Sequence, residues 1–377
     1  MQAESTARAK GTGTILAVSL LLFGSCPALG QAPGSNLRRL HPAPLAAGTP
    51  ANPSRPLPAD VEQAIGWLPD DTESIIVARG PLMESTLKDI WDRRPFIPSG
   101  VVPPPEPDFQ QQTLAGSLSL FKAAGNAFVQ SITRQPIHFV IASARQFGPP
   151  VIGSGSTFEG CELIVFDHSV PDVAVRGAGQ TVSVEHIENN QVVRVDSQWG
   201  GQDKKVSIYY AKPKPNTLIA TNNRGSLKTI LQRITRLGAT RTPLLEFPEW
   251  KCVDTQSLVW GIRHRRTATP FNFTVFRDDG SFASKLVGIT FSYQAKPTES
   301  VMLQFHCTDK PQNVLPKVIG EDFRTEQISP LVAEARVRIN RRRATTAIEQ
   351  SPQNRGHYSG SEMQFRIAWF MGYVVCP

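Results

Sequence analysis

VSIYYAKPKPNTLIATNNRGSLKTILQRITRL, residues 206–237, reads as strand, turn, strand and capped helix. Val206, Ile208 and Tyr210 alternate with Ser207, Tyr209 and Ala211, the period of two that puts successive side chains on opposite faces of a strand. Pro213-Lys214-Pro215-Asn216 has the chemistry of a turn. Leu218, Ile219 and Ala220 resume an apolar strand. Ser226 is the expected N-cap, because its hydroxyl can accept from an amide left open in the first helical turn. Leu227, Ile230, Leu231, Ile234 and Leu237 then fall on one helical face, with Gly238 placed to cap the C-terminus. A unit of this kind lays a helix across a sheet. It carries no catalytic motif.

Working outward, the same patterning recurs. Val61, Ala64, Ile65 and Leu68 mark a short helix, followed by a buried strand at 74–78 (SIIVA). Ser85 caps an expected helix carrying Leu87, Ile90 and Trp91, and the proline-rich stretch 95–108 must be an irregular loop. Leu114, Leu118, Phe121, Phe128 and Ile132 trace a longer amphipathic helix. Strands follow at 137–142 and 163–166, and 181–195 reads as a hairpin turning near Asn189-Asn190. Beyond Gly238, strands are expected at 258–262, 271–276, 286–293, 301–307 and 333–339, with a short helix at 314–319. The apolar stretch 363–375 is readable as helix or strand. At 13 residues it is too short to span a bilayer, which takes about 20 as a helix. The segments DTESIIV (71–77) and DTQSLVW (254–260) echo each other, each with a Trp and a Pro just upstream. They read as a duplicated α+β unit, the alternative being coincidence within a seven-residue window.

The amino terminus reads as an export leader. Arg8 and Lys10 precede the apolar run 14–23, and Ala28-Leu29-Gly30 offers small residues for cleavage before Gln31. A competing reading makes Cys26 the lipidated residue of a lipoprotein. Residues 31–60 are rich in Pro, Ala, Gly and Ser and read as a disordered tether. No later segment is apolar enough to cross a membrane. Removal of the leader leaves Cys161, Cys252, Cys307 and Cys376, an even count that allows disulfides in an exported chain. The alternative is buried thiols, since cysteine is a common core residue.

No GxSxG, GxxxxGK[ST], HExxH or EF-hand pattern occurs, so no nucleotide, metal or other cofactor is expected. None of the seven histidines stands at metal-ligand spacing from another ligand type. In a strand, adjacent His306 and Cys307 would point to opposite faces, with Cys307 in the core and His306 near solvent. A Ser/His/Asp assembly from distant positions is invisible at this level. The formal charge of +8 can favour nucleic acid, anionic lipid or acidic polysaccharide, but the charges are scattered rather than massed and read first as a solvated basic surface. Arg263, Arg265 and Arg266 follow one expected strand, and Arg341, Arg342 and Arg343 follow another. Were those strands neighbours, the guanidinium forks would form one anion site. The competing reading is two solvated strand ends that discourage edge-to-edge pairing. Nucleic acid is not expected, because export argues against it and no cluster is interleaved with stacking aromatics.

WLPDDTESIIVARGP (67–81), AKPKPNTLIATNNRGSLKTILQRI (211–234), FPEWKCVDTQSLVWGIRHRR (247–266) and GITFSY (288–293) together resemble a family of secreted, functionally uncharacterised proteins of acidobacteria and similar soil bacteria. The resemblance covers roughly residues 60–375. It implies export and brings no activity and no catalytic residue.

These readings define an α+β protein, mainly antiparallel sheet with helices on one face. It is expected as two similar halves, 61–238 and 239–377, joined around the opening stretch. The expected function is non-enzymatic binding or scaffolding in the cell envelope, with an anionic envelope component or another envelope protein as partner. The alternative is an envelope hydrolase. A deep pocket holding His, a carboxylate and a nucleophile would favour the hydrolase.

Overall fold

The computed structural model describes residues 57–80, 119–122, 124, 128, 131–132, 135–146, 158–170, 172, 181–198, 205–236, 243–265, 284–294, 300–309 and 324–338. The leader, nearly all of the tether, and the elements expected at 85–91, 95–108, 271–276, 314–319 and 363–375 lie outside them. In chain order the elements are α1 (Ala59–Trp67), β1 (Ser74–Arg79), α2 (Ser119–Lys122), β2 (Ile137–Gln146), β3 (Phe158–Phe166), β4 (Thr181–Ile187), β5 (Asn190–Gln198), β6 (Lys205–Lys214), β7 (Thr217–Thr221) and α3 (Arg224–Thr235). Two 3-10 turns (Pro243–Glu246 and Pro248–Lys251) lead into β8 (Val259–His264), β9 (Leu286–Gln294), β10 (Ser300–Cys307), β11 (Arg324–Ser329) and β12 (Val332–Arg338).

The strands form one 12-stranded sheet in the order β11-β12-β10-β9-β8-β1-β2-β3-β7-β6-β5-β4. Every described pairing is antiparallel. At the centre β1 pairs with β8, Val77 facing Trp260 and Ile75 facing Ile262. Aligning the two DTxS motifs also sets Val77 on Trp260, so the pair at this seam consists of corresponding residues. The seam, rather than residues 206–237, is where the two parts of the sheet meet. The opening stretch lies toward the β4 edge.

Local chemistry explains the elements. Glu188 and Asn189 both have positive φ (50° and 62°), the backbone of a tight turn whose twist matches paired strands, so β4 and β5 close as a hairpin. Asp60 and Glu62 sit favourably in the first turn of α1, near the open amides. That helix starts at Ala59, inside the expected tether. The cap of α3 is Asn223, not Ser226. Its Oδ1 accepts from the Ser226 amide at 2.8 Å, which places Ser226 three residues into the motif. A cap of this kind contributes about 1 kcal/mol. The helix ends at Thr235, and Leu237 and Gly238 lie outside the described residues.

Helices pack on both faces of the sheet, while β4 at its edge stays largely exposed. On one face Ile75, Val77, Phe139, Ile141, Leu163, Ile219, Trp260 and Ile262 meet α1 and α3 in a single core. Leu227, Ile230 and Leu231 of α3 are fully buried there, each contributing about 1.5–3 kcal/mol. Arg233 of α3 reaches α1's end, donating to the Leu68 carbonyl and pairing with Asp70 at 2.8 Å. On the opposite face Glu162 of β3 accepts from the Leu120 and Phe121 amides of α2 at 2.8 and 3.1 Å. Tyr210 donates to the Leu120 carbonyl at 2.7 Å, and its ring packs on Phe121 and Phe128. Helices therefore flank both faces rather than one. The reason is that Glu162 neighbours Cys161 in sequence and so points the other way, where it caps α2.

Candidate functional site

The strand order removes the premise of the arginine site. β8 and β12 are separated by β9 and β10. His264 is level with Gly288, His306 and Val332, whereas Arg338 is level with Ser300 and Gln294 at the other end of those strands. Three antiparallel steps thus carry the chain leaving β12 away from the end of β8. Arg263 is buried, opposite Ser74 on β1. Arg265 donates to the Ser284 carbonyl at 3.1 Å, and burial lowers its pKa from the usual arginine value. Arg266, Arg341, Arg342 and Arg343 lie outside the described residues.

The described cysteines are free thiols: Cys161 and Cys307 buried, Cys252 half-buried. Cys376 lies outside the described residues. Desolvation pushes the thiols up to about 12 at Cys161, about 11 at Cys252 and about 12 at Cys307. Since the thiolate is the nucleophile, none of the three is primed for attack at neutral pH.

An open cleft of about 320 Å³ lies beside α1 and the β6–β7 turn, lined by Asp60, Trp67, His138, Asp167, Lys214 and Asn216 among others. His138 is among its lining residues. Its Nε2 bonds Asp60 Oδ2 at 2.7 Å and its Nδ1 meets Asp167 Oδ1 at 3.1 Å. Burial alone would raise the Asp60 carboxyl. The bonds from His138 and the Val61 amide, with the charge of Arg79, outweigh it and hold that carboxyl below its usual value. Lys214 places its Nζ 4.3 Å from the centre of the Trp67 ring, a cation held over an aromatic face. Thr217 also lines the cleft, and its hydroxyl donates to Asn216 Oδ1 at 3.3 Å. The cleft is thus a charged, shallow recess whose imidazole is occupied at both nitrogens.

A second constellation is buried under the turn Pro248–Lys251. Glu249, fully buried, bonds Nδ1 of His264 through Oε1 at 2.8 Å. Phe247 stacks on the same imidazole, ring centres 4.3 Å apart. Gly288 lies directly beneath the carboxyl: a Cβ there would overlap Glu249 Oε1 and come within 2.5 Å of Cδ. Beyond it on β10, His306 is 1% exposed, and neither ring nitrogen has a hydrogen-bond partner. Burial lowers the His306 pKa; the Glu249 charge opposes that shift and His264 adds to it. The expectation that His306 faces solvent fails because both sheet faces are covered here. In the next row on the same face, Thr290 donates to Gln304 (3.2 Å) and Gln304 to Glu334 (3.0 Å).

Sequence reasoning missed both constellations, whose partners come from distant stretches. A carboxylate inside the aromatic run Phe247-Pro248-Glu249-Trp250 was the one local signal of burial. Among the described residues, no group of three or more His, Cys, Asp or Glu side chains is disposed to hold a metal ion. No helix among them is long and apolar enough to cross a membrane. No family model, curated protein or solved structure matches this chain.

Proposed function

We propose that this chain is an exported, non-enzymatic binding or scaffolding protein of the cell envelope, with an anionic envelope polymer as its partner. The observation that carries the reading is His138. Both of its ring nitrogens are taken by carboxylates, and the hydroxyl of Thr217 is turned to Asn216, so the cleft's imidazole and hydroxyl are both engaged within the protein. Such a recess can hold a ligand but is not assembled to break one. The basic surface, formally +8, supplies the attraction to a polyanion. Lys214 and Arg79 supply cations at or beside the cleft.

The same reading includes an internal duplication. Its support is the common course of β1-β2-β3-β7-β6 and β8-β9-β10-β12-β11, running outward in opposite directions from the β1–β8 seam. The β4–β5 hairpin is then an addition to the first half.

The test is co-sedimentation of the mature protein with purified peptidoglycan sacculi. Retention at low ionic strength, release as salt screens the charges, and weaker retention of the Lys214→Glu variant are expected. Solubilisation of the sacculi would favour the alternative, an envelope hydrolase. That alternative rests on Glu249 orienting His264, the arrangement of an acid–base dyad. It predicts an activity lost in His264→Ala.

A further inference from the structure

We propose that Glu249, His264 and His306 form a proton-operated latch, in which acid releases the turn Pro248–Lys251 from the second part of the sheet. The latch is independent of what the cleft binds.

The geometry is specific. Besides the packing of Trp250 on Trp260, the turn is tied to the sheet by one buried carboxylate set over Gly288, with an imidazole on each side in the same row of strands. On the β8 side His264 is bonded to Glu249 and clamped by Phe247. On the β10 side His306 makes no hydrogen bond, and the second carboxyl oxygen, Glu249 Oε2, is buried and equally unpartnered. Buried polar atoms left without partners cost about 1–3 kcal/mol each. A fold that keeps three such atoms in one spot holds a poorly compensated site next to its most buried acid–base pair. Among the described residues, the strand neighbours of His306 are uncharged: Gly288 on β9, Val332 on β12 and Gln304 along its own strand. Further charges near this row among the described residues are Glu334, bonded to Gln304, and the buried Glu73, level with His264, whose amide donates to the Glu73 carbonyl at 2.8 Å.

A proton on His306 places a cation in a fully buried site whose carboxylate is already engaged by His264. That state is relieved by letting solvent in, which means lifting the turn. The sign follows from His306. Its value in the folded protein lies below the 6.5 of a free imidazole, so the unfolded or opened chain takes up the proton first. The stability this site contributes is complete above pH 6.5 and is lost as the pH falls through the lowered value.

The molecule contains its own reporter. Trp250 sits on the same turn as Glu249, packs edge-on against Trp260 of β8 with ring centres 5.5 Å apart, and donates its indole N–H to the Leu244 carbonyl. Lifting the turn separates the two indoles.

The experiment is tryptophan fluorescence of the mature protein from pH 8 to pH 4, with far-ultraviolet circular dichroism in parallel. The expected result is a reversible change in emission with its midpoint below 6.5, occurring while the sheet signal persists. In His306→Phe and His306→Gln, which cannot take up the proton at that position, the midpoint moves at least one pH unit lower or the step disappears. Two variants are used because phenylalanine can overfill the site, whereas glutamine keeps hydrogen-bonding groups there. If wild-type emission is flat across the range, or if either folded variant keeps the wild-type midpoint, the latch does not exist.

Discussion

Gly261→Ala is expected to destabilise the protein by more than about 3 kcal/mol, among the larger effects a single methyl group can have. Gly261 lies in β8 opposite Ile76 of β1, at the seam of the sheet. A Cβ there would stand 2.7 Å from the Ile75 carbonyl oxygen and 2.9 Å from Cζ of Phe291, and would overlap Cε1 of that ring as well. Phe291 is 1% exposed and has nowhere to turn. The carbonyl belongs to backbone and can yield only if β1 and β8 part. In thermal unfolding this corresponds to a fall in Tm of roughly 6–12 °C, at about 2–4 °C per kcal/mol. An unchanged Tm would mean that the seam is not packed as described.

Gly288→Ala should be comparably severe, for a different reason and with a different remedy. The new methyl group meets the side chain of Glu249, whose Cδ and Cγ lie 2.5 and 2.7 Å from its position. Glu249 is fully buried and bonded to His264, so moving it aside breaks a buried pair. Such a break costs about 3–5 kcal/mol. Because the obstacle is one side chain, a second substitution can remove it. Glu249→Ala alone is expected to be destabilising, since it leaves His264 Nδ1 without its partner. Gly288→Ala combined with Glu249→Ala should be no worse than Glu249→Ala alone. The double-mutant cycle, read from denaturant midpoints, should give a favourable coupling of about 3–5 kcal/mol, the whole cost of Gly288→Ala alone. Simple additivity would show that the carboxyl does not sit over Gly288.

These two glycines mark the boundary of what the sequence discloses. Alternation in 206–211 and 286–293 is enough to identify β6 and β9, because each face contacts a packed layer and period two is preserved. The apolar stripe of α3 is equally plain. Its cap is misread by three residues because Asn222-Asn223 and Ser226 are all capping types, and only the backbone direction at Asn223 selects one. β11, RTEQIS, has no apolar signature because it is the last strand on its edge of the sheet, where one side needs no apolar neighbour. The DTxS echo is visible in the letters, yet nothing in them says that the two strands pair with each other. The cleft is less legible still. His138 and Asp60 are 78 residues apart, and the contact exists only because α1 crosses the end of β2. Its exposed ion pairs contribute about 0–1 kcal/mol, too little to impose a pattern on the neighbouring sequence. His306 is misjudged for a related reason. Alternation assigns His306 and Cys307 to opposite faces correctly, but does not reveal that both faces are covered.

The two expected strands that lead into the basic clusters, β8 and β12, are not neighbours. Arginine pairs are well suited to anions, and their proximity in the strand pattern is suggestive. An antiparallel sheet, however, alternates the ends at which successive strands finish. Whether two such runs meet depends on the number of strands between them. Here the chain leaving β12 is at the end opposite His264.

The most direct test of one continuous sheet, joined through β1 and β8, is native-state hydrogen exchange resolved by peptide. Amides of 75–78 and 259–262 should be among the slowest in the protein, and should exchange at a common rate together with β2, β3 and β9. That outcome places the seam inside a single cooperative unit. Rapid exchange at 75–78 and 259–262, with the strands on either side protected at two separate rates, would contradict the account. The halves would then be independent domains in contact rather than one sheet.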